Sequence, residues 1–329
     1  MAATHADVWQ RATVVENVPL TDAIRRIVFE PAMPVAVPPG AHLDVRVPIE
    51  GQTDRRSYSI VDASADGSRI ALSIFDSPRS RGGAAAMHAL EVGDTLEVTQ
   101  PLLDFPLRIG APRYVLLAGG IGITAVLGMA RVLQRIGADY TLVYAGRSRA
   151  AMAYLDTLAA EHGERLRVHV GDEGTSLVVD ELVTSIEPGT ELYMCGPIRL
   201  MDAVRRAWIE RELDATDLRF ETFGNSGWHD AEEFTVRIPR LGIETRVGPR
   251  QSMLEALESA GADMMFDCRK GECGLCEVRV LQLDGDIDHR DVFYSKRQKD
   301  ARGKICCCVS RVVAAGAGRG GGVVTIETS

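Results

Sequence analysis

The chain has no surplus of basic charge. Its 37 Lys and Arg face 46 Asp and Glu, a formal net charge of −9 over 329 residues. Phosphate-backbone binding needs a basic face, so nucleic acid is excluded as a primary partner. Long apolar runs are lacking too. The longest nearly uncharged stretch, 115–130, is short for a membrane span and carries four glycines, so no membrane association is expected. The sequence does not begin with a basic segment followed by an apolar core, so no signal peptide is expected and a cytoplasmic location follows. With 46% hydrophobic and 25% charged residues the composition is neither disordered nor fibrous. A chain this long predicts two or three domains.

What the sequence does have is clustered cysteine. Six of its seven cysteines fall from Cys268 onward, in two tight groups. A disulfide framework belongs to small secreted chains, which this is not, so metal or cluster ligation is the stronger reading. Cys268, Cys273 and Cys276 are spaced C-x4-C-x2-C, the plant-type [2Fe–2S] pattern, in which soft thiolates bind iron. Gly271 and Gly274 let the loop wrap closely and aim N–H groups at sulfur. A zinc site is the alternative, but it usually brings two C-x2-C pairs and only one is present. For the fourth ligand, Cys306, Cys307 and Cys308 are consecutive. If that segment is extended, Cys306 and Cys308 face one way and Cys307 the other, which leaves two candidates.

The rest of the chain changes rhythm twice, giving three parts at 1–110, 111–228 and 229–329. In the first, short strands such as Arg25–Phe29, Leu43–Val47, Arg56–Val61, Ile70–Phe75 and Thr95–Thr99 alternate with turn residues, which predicts an antiparallel barrel. In the second, strands at 114–118, 140–144, 166–170 and 191–195 alternate with helices ending near Gly137 and at Ala150–His162, near Val178–Val183 and at Ile198–Arg211. This predicts a doubly wound parallel sheet. The third reads as a hairpin (Phe234–Ile238 and Glu244–Val247), a helix Ser252–Ala260 capped by Ser252, and strands Cys276–Leu283 and Val323–Glu327 flanking the glycine-rich loop 314–322. The whole is a multidomain α/β protein.

Two further motifs carry chemistry. Arg56-Ser-Tyr58-Ser59 offers a forked donor for a phosphate, an aromatic ring for an isoalloxazine and a hydroxyl near its N5. Arg81-Gly82-Gly83 reads equally as a phosphate-cradling nest or a surface turn. Gly119-Gly120-Ile-Gly122-Ile-Thr124 is a strand-to-helix turn of the kind that admits a pyrophosphate, though it is not the G-x-G-x-x-G fingerprint. Cys195-Gly196-Pro197 ends a later strand of the same sheet. Taken singly, Cys195 reads first as a buried core thiol.

In this order the motifs resemble the phthalate dioxygenase reductase family, which includes vanillate O-demethylase reductases. Phe220-Glu-Thr-Phe223-Gly, Asp288-His-Arg-Asp291 and Cys308-Val-Ser-Arg311 match further segments of it, so the resemblance spans nearly the whole chain. It implies a flavin barrel, a nucleotide sheet and a β-grasp-like ferredoxin domain. It also implies FMN rather than FAD, NADH with NADPH as the alternative, and a [2Fe–2S] cluster on Cys268, Cys273, Cys276 and Cys308, with Cys306 and Cys307 as packing residues.

Carried over residue by residue, Arg56, Tyr58 and Ser59 hold the flavin, with Gly82, Gly83 and Ala84 at its phosphate. Gly119, Gly120, Gly122, Gly196 and Pro197 form the nucleotide site. Thr124 and Cys195 line the nicotinamide pocket, and Phe223 lies against the flavin ring; Ser59, Thr124 and Cys195 are the catalytic set. Two departures stand out. Ala84 replaces a hydroxyl residue, leaving the phosphate to Arg56, Ser80 or backbone. Thr124 is followed by Ala125 rather than Pro, which only presets a helix start. Arg147 and Arg149 follow the second strand, where a 2′-phosphate would sit, or else belong to a solvated loop.

The implied function is a monomeric reductase that feeds a Rieske-type dioxygenase or O-demethylase. Alternatives are a reductase for a cytochrome P450 or other monooxygenase, or a non-enzymatic carrier or sensor with a structural metal domain. All four lysines, Lys270, Lys296, Lys299 and Lys304, lie in the third part, where 15 basic residues nearly balance 16 acidic ones. They are expected either to rim the cluster and dock an acidic partner or to be ordinary surface lysines.

Overall fold

Alternating apolar residues separated by turn chemistry build the first sheet. In the computed structural model, which describes residues 7–49, 52–77, 80, 82–223, 227–314 and 321–328, strands β1 (Trp9–Thr21), β2 (Ile24–Pro31), β3 (His42–Ile49), β4 (Gln52–Ala63), β5 (Ile70–Phe75) and β6 (Thr95–Thr99) close a barrel in the order β1-β2-β5-β4-β3-β6. Its inward side chains, among them Val14, Ile27, Phe29, Leu43, Val45, Leu72 and Val98, are buried. Two of its elements are not legible in the sequence: the long first strand β1 and the short helix α1 (Gly83–His88).

A parallel sheet follows, made of β7 (Arg113–Gly119), β8 (Tyr140–Gly146), β9 (Leu166–Val170), β10 (Thr190–Cys195) and β11 (Leu218–Glu221) in the order β11-β10-β7-β8-β9. It is covered by α2 (Ile123–Arg135), α3 (Leu155–His162), α4 (Val179–Thr184) and α5 (Ile198–Glu210). The helix expected from Ala150 begins only at Leu155. Tyr154 takes a left-handed φ of 64°, which separates α3 from a short 3₁₀ turn at Arg149–Ala151. That backbone is held from outside, because the Tyr154 hydroxyl meets Ser73 Oγ of the barrel at 2.5 Å. Barrel and parallel sheet belong to one compact unit ending at Glu221, and a second unit comprises Thr222 onward together with the short segment 79–81.

The second unit is a mixed sheet of β12 (Phe234–Ile238), β13 (Ile243–Val247), β14 (Glu277–Asp284), β16 (Lys304–Cys306) and β18 (Val323–Glu327), ordered β13-β12-β18-β14-β16. A small pair, β15 (Asp286–Asp288) with β17 (Arg311–Val313), lies apart from it. Helix α6 (Met253–Ser259) starts where expected: Ser252 Oγ accepts from Glu255 N at 3.1 Å, and Glu255 Oε2 accepts from Ser252 N at 2.7 Å. Met253, Leu254 and Leu257 then enter a core shared with Phe234, Val236, Ile305 and Ile326. A short helix, α7 (Lys296–Asp300), precedes β16.

One buried group makes the first unit sensitive to acid. His162 is 4% exposed, its Nδ1 lies 2.7 Å from the Tyr140 hydroxyl, and its Nε2 has no hydrogen-bond partner. Burial holds its pKa below the ordinary imidazole value, with Glu161 opposing. An unfolded chain takes up that proton as pH falls through about 6.5 and the folded one does so only lower, so stability is lost in that direction. The thermal midpoint should therefore fall from pH 7 to pH 5.5. His162→Phe should remove this component of the slope while costing about 0.5–1.5 kcal/mol at pH 7, because the Tyr140 hydroxyl loses this bond and keeps Arg165 as its partner. Equal slopes in both proteins would count against the assignment.

Candidate functional site

In the parallel sheet the strand order reverses beside β7, and ligands bind such sheets at the carboxyl ends of the strands flanking that point. Here those ends are Gly119-Gly120 and Cys195-Gly196-Pro197. Cys195 pairs in register with Ala118 on one side and Glu221 on the other. The two turns are almost in contact: a Cβ on Gly122 would stand 2.1 Å from the Cys195 carbonyl oxygen. On Gly119 a Cβ would meet Pro197 at 2.8 Å, and on Gly196 it would meet the Gly119 backbone at 3.1 Å. Thr124 Oγ1 donates to the Ile121 carbonyl at 2.9 Å, which ties the start of α2 to its own turn. Cys195 and Thr124 are both buried.

The barrel motif lies on β4. Ser59 is buried and Arg56 and Tyr58 are half-buried. Arg56 runs against the start of α1, where a Cβ on Gly83 would come within 3.1 Å of its Cγ and Nε. Its guanidinium reaches Asp54 at 2.5 Å and the Arg55 carbonyl at 2.9 Å. Gly82 precedes α1 and Ala84 is buried in its first turn; Arg81 lies outside the described residues. Burial pushes the Tyr58 hydroxyl well above its ordinary pKa.

Ser59 has a partner that sequence reasoning missed. Its Oγ donates to Glu221 Oε2 at 3.1 Å, and Glu221 is only 3% exposed. The pair joins β4 of the barrel to β11 of the sheet, with Cys195 beside Glu221. The available signal was a lone carboxylate inside an otherwise aromatic run, Phe220-Glu-Thr-Phe223. Phe223 itself falls just beyond β11, in the second unit.

In the second unit the loop 268–276 wraps around one sulfur. The backbone N–H groups of Lys270, Glu272 and Cys273 each donate to Cys268 Sγ at 3.4 Å. Gly271 makes this possible. Its φ is +78°, and a Cβ there would press to 2.9 Å from Asp291 Cα. Cys268 contacts Cys273 and Cys308, and Cys276 contacts Cys306 and Cys308. The Cys308 thiol and these N–H donors hold Cys268 down at about 4. Cys276 is held at about 3 by the Cys306 and Cys308 thiols, and Cys306, Cys307 and Cys308 are all pushed up.

The extended backbone expected for 306–308 is not what forms, although the thiols of Cys306 and Cys308 both reach Cys276 as the two candidates. Cys306 ends β16, and Ser310 N donates to the Cys306 carbonyl at 3.1 Å across a turn, so the extended-chain argument does not apply. Among the described residues no three His, Cys, Asp or Glu side chains are arranged around a single ion. Of the lysines, Lys296 pairs with Asp300, Lys304 with Glu277, and Lys299 donates to the Asp291 carbonyl. Met265, Phe266, Leu275 and Phe293, in and near the cysteine loop, are the exposed apolar side chains of this region.

Comparison with known proteins agrees with this layout. The model of a 2Fe-2S iron-sulfur cluster binding domain matches residues 236–313, and that of an oxidoreductase NAD-binding domain matches residues 116–206. The chain is 37% identical over 273 residues to phenoxybenzoate dioxygenase subunit beta of Ectopseudomonas oleovorans, covering 82% of this chain and 83% of that one. It matches the solved structure of phthalate dioxygenase reductase with a TM-score of 0.74 and 28% identity, over 97% of this chain and 98% of that one. The chain belongs to the phthalate dioxygenase reductase family.

As a member of that family it is an iron–sulfur flavoprotein oxidoreductase using NADH, FMN and a [2Fe–2S] cluster, and it is the reductase component of a multicomponent oxygenase. It also matches an intact type IV self-sufficient cytochrome P450 monooxygenase (TM-score 0.65, 35% identity), covering 97% of this chain but only 41% of that longer one. The residues present fit these groups. A space that a Cβ on Gly83 would fill lies beside the Arg56 fork, two glycine turns meet at the sheet's reversal, and soft thiols gather with N–H donors already aimed at one of them.

Gly122→Ala should be disruptive out of proportion to one methyl group, because the atom it strikes is backbone. We expect NADH affinity to drop at least tenfold and stability to fall by about 1–3 kcal/mol. Wild-type NADH binding in this variant, measured by fluorescence titration, would contradict the close approach.

Proposed function

We propose that this reductase takes electrons from NADH and delivers them singly to a Rieske-type aromatic-ring dioxygenase or O-demethylase. The observation carrying the reading is the meeting of Ser59, Glu221 and Cys195 where barrel and parallel sheet join, a reaction centre with one wall from each. We further propose three modules at 1–110, 111–228 and 229–329, a monomeric state and a cytoplasmic location. Among the described residues no helix is long and apolar enough to cross a membrane.

Each site residue has a role in this proposal. Arg56 takes the FMN phosphate with the backbone at Gly82, Gly83 and Ala84, and Tyr58 packs on the ring system. Ser59 presents its hydroxyl at the reacting edge, and Glu221 fixes how that hydroxyl points. Gly119, Gly120, Gly122, Gly196 and Pro197 bring backbone close to the dinucleotide. Thr124 and Cys195 line the nicotinamide pocket and keep water from it. Cys268, Cys273, Cys276 and Cys308 hold the cluster. The bound cofactors supply the conversion of one hydride into two single-electron steps, and the protein positions and tunes them. The likeness to a P450-fused chain favours one second reading, service to a cytochrome P450. Reconstitution with purified Rieske and P450 oxygenases separates the two.

Anaerobic titration with NADH tests the core of the proposal. Flavin and red-brown cluster absorbance should both bleach, with about one and a half equivalents needed for the three electrons a two-electron flavin and a one-electron cluster accept. Bleaching of the flavin alone would refute transfer to the cluster.

Donor preference follows from charge at the end of β8. Arg149 is held by Glu173 through two bonds of 2.6 and 2.9 Å, so a carboxylate stands where a 2′-phosphate would have to enter. Glu173→Gln should raise kcat/KM for NADPH relative to NADH roughly two- to fivefold, the worth of one exposed ion pair. An unchanged ratio would remove Glu173 from the specificity account.

A further inference from the structure

Three consecutive cysteines are more than one cluster needs, and they do not occupy equivalent places. Cys307, like Cys306, is fully buried in the core of the second unit. Its backbone is used twice: its N–H donates to the Cys276 carbonyl at 3.2 Å, and its carbonyl accepts from Leu254 N at 3.0 Å. Cys306 differs. It is the last residue of β16 and sits in register opposite Glu277, the first residue of β14, so it stands beside Cys276, which immediately precedes that strand. The turn closed by Ser310 N on the Cys306 carbonyl then carries the chain through Cys308. As a result the Cys276 side chain touches the thiols of both Cys306 and Cys308.

We propose that Cys306 is a spare fourth ligand of the [2Fe–2S] cluster, able to replace Cys308 on the same iron. The inference rests on Cys308 being the resident fourth ligand. Its ground is the juxtaposition of two thiols against one Cys276 side chain, from the first and the middle residue of one tight turn. The exchange is balanced. The iron–sulfur bond to Cys308 breaks and one to Cys306 forms, and the proton released by the Cys306 thiol passes to the Cys308 thiolate, with no change in oxidation state. The backbone need not be rebuilt, because the anchors on Cys276 and Leu254 belong to Cys307, between the two. Thiolate donors are soft whichever residue supplies them, so the cluster type is kept. Cys307 has no part in the exchange, since Cys276 meets it through its backbone N–H and not through its thiol.

The test uses the full-length holoprotein and three variants, Cys308→Ala, Cys306→Ala and the double substitution, with iron content, visible absorbance, EPR of the reduced cluster and FMN content as readouts. Cys308→Ala should retain about two irons per chain, with shifted EPR g-values and midpoint potential. Cys306→Ala should keep the wild-type signal. The double variant should lose at least nine-tenths of its iron while keeping its FMN. Cys308→Ser is made in parallel, so that a folding defect specific to alanine is recognised by its absence in serine. If both Cys308 variants lose their iron while Cys306→Ala keeps it, the spare-ligand proposal fails and Cys308 stands as sole fourth ligand. If Cys308→Ala shows an unaltered wild-type EPR signal, the assignment of Cys308 as resident ligand fails, and the proposal with it.

Discussion

A carboxylate almost shut off from water costs stability unless it is hydrogen-bonded, and Glu221 is such a carboxylate. The hydroxyl that answers it comes from Ser59, 162 residues earlier, on a strand of a different sheet. Much of the first unit is consistent with that one bond. It requires β11 to be the edge strand next to β10, which brings Cys195 alongside Glu221. It also requires β4 to present its serine toward the parallel sheet. The contacts Ser73–Tyr154 and Asp62–Arg131 repeat the same junction farther along, and the left-handed Tyr154 that shortens α3 is part of the cost.

The second unit meets a related problem with different means. The Cys268 sulfur needs donors, and three come from backbone N–H groups of its own loop. Such a loop holds its shape only against a rigid support. That support is the 288–291 segment: Asp291 accepts from Ser310 Oγ and Tyr294 N and meets His289 Nδ1 at 3.1 Å. Beside it Arg290 and Asp288 form a buried ion pair that also reaches His229 and Trp228. Burial pushes the Asp291 carboxyl up, but its bonds to His289 and Tyr294 N and the charge of Lys299 outweigh that and hold it low. A buried polar network of this kind stabilises only through the bonds its members make, and among the described residues His289 Nε2 is left without a partner.

The exposed surface near the cysteine loop was not legible from composition. Near-neutral charge and four lysines suggested either an electrostatic edge or ordinary surface lysines; three of those lysines bond within their own unit, and the exposed apolar groups are Met265, Phe266, Leu275 and Phe293. Charge counts register residues, not their partners.

Spacing along the chain was enough for much that is local. C-x4-C-x2-C named the cluster type because ligand geometry is set by loop length, the strand–helix rhythm named the parallel sheet, and Ser252 with Glu255 marked a helix start through bonds spanning three residues. Tertiary structure alone decided the rest. That Glu221 answers Ser59, that Gly122 lies under Cys195, that Tyr154 breaks a helix and that Cys306 reaches Cys276 all depend on distant strands brought into register. The physical reason is common to the four cases. A buried polar atom, a methyl-sized gap or a thiol has meaning only through what faces it, and what faces it is set by packing rather than by neighbours in sequence.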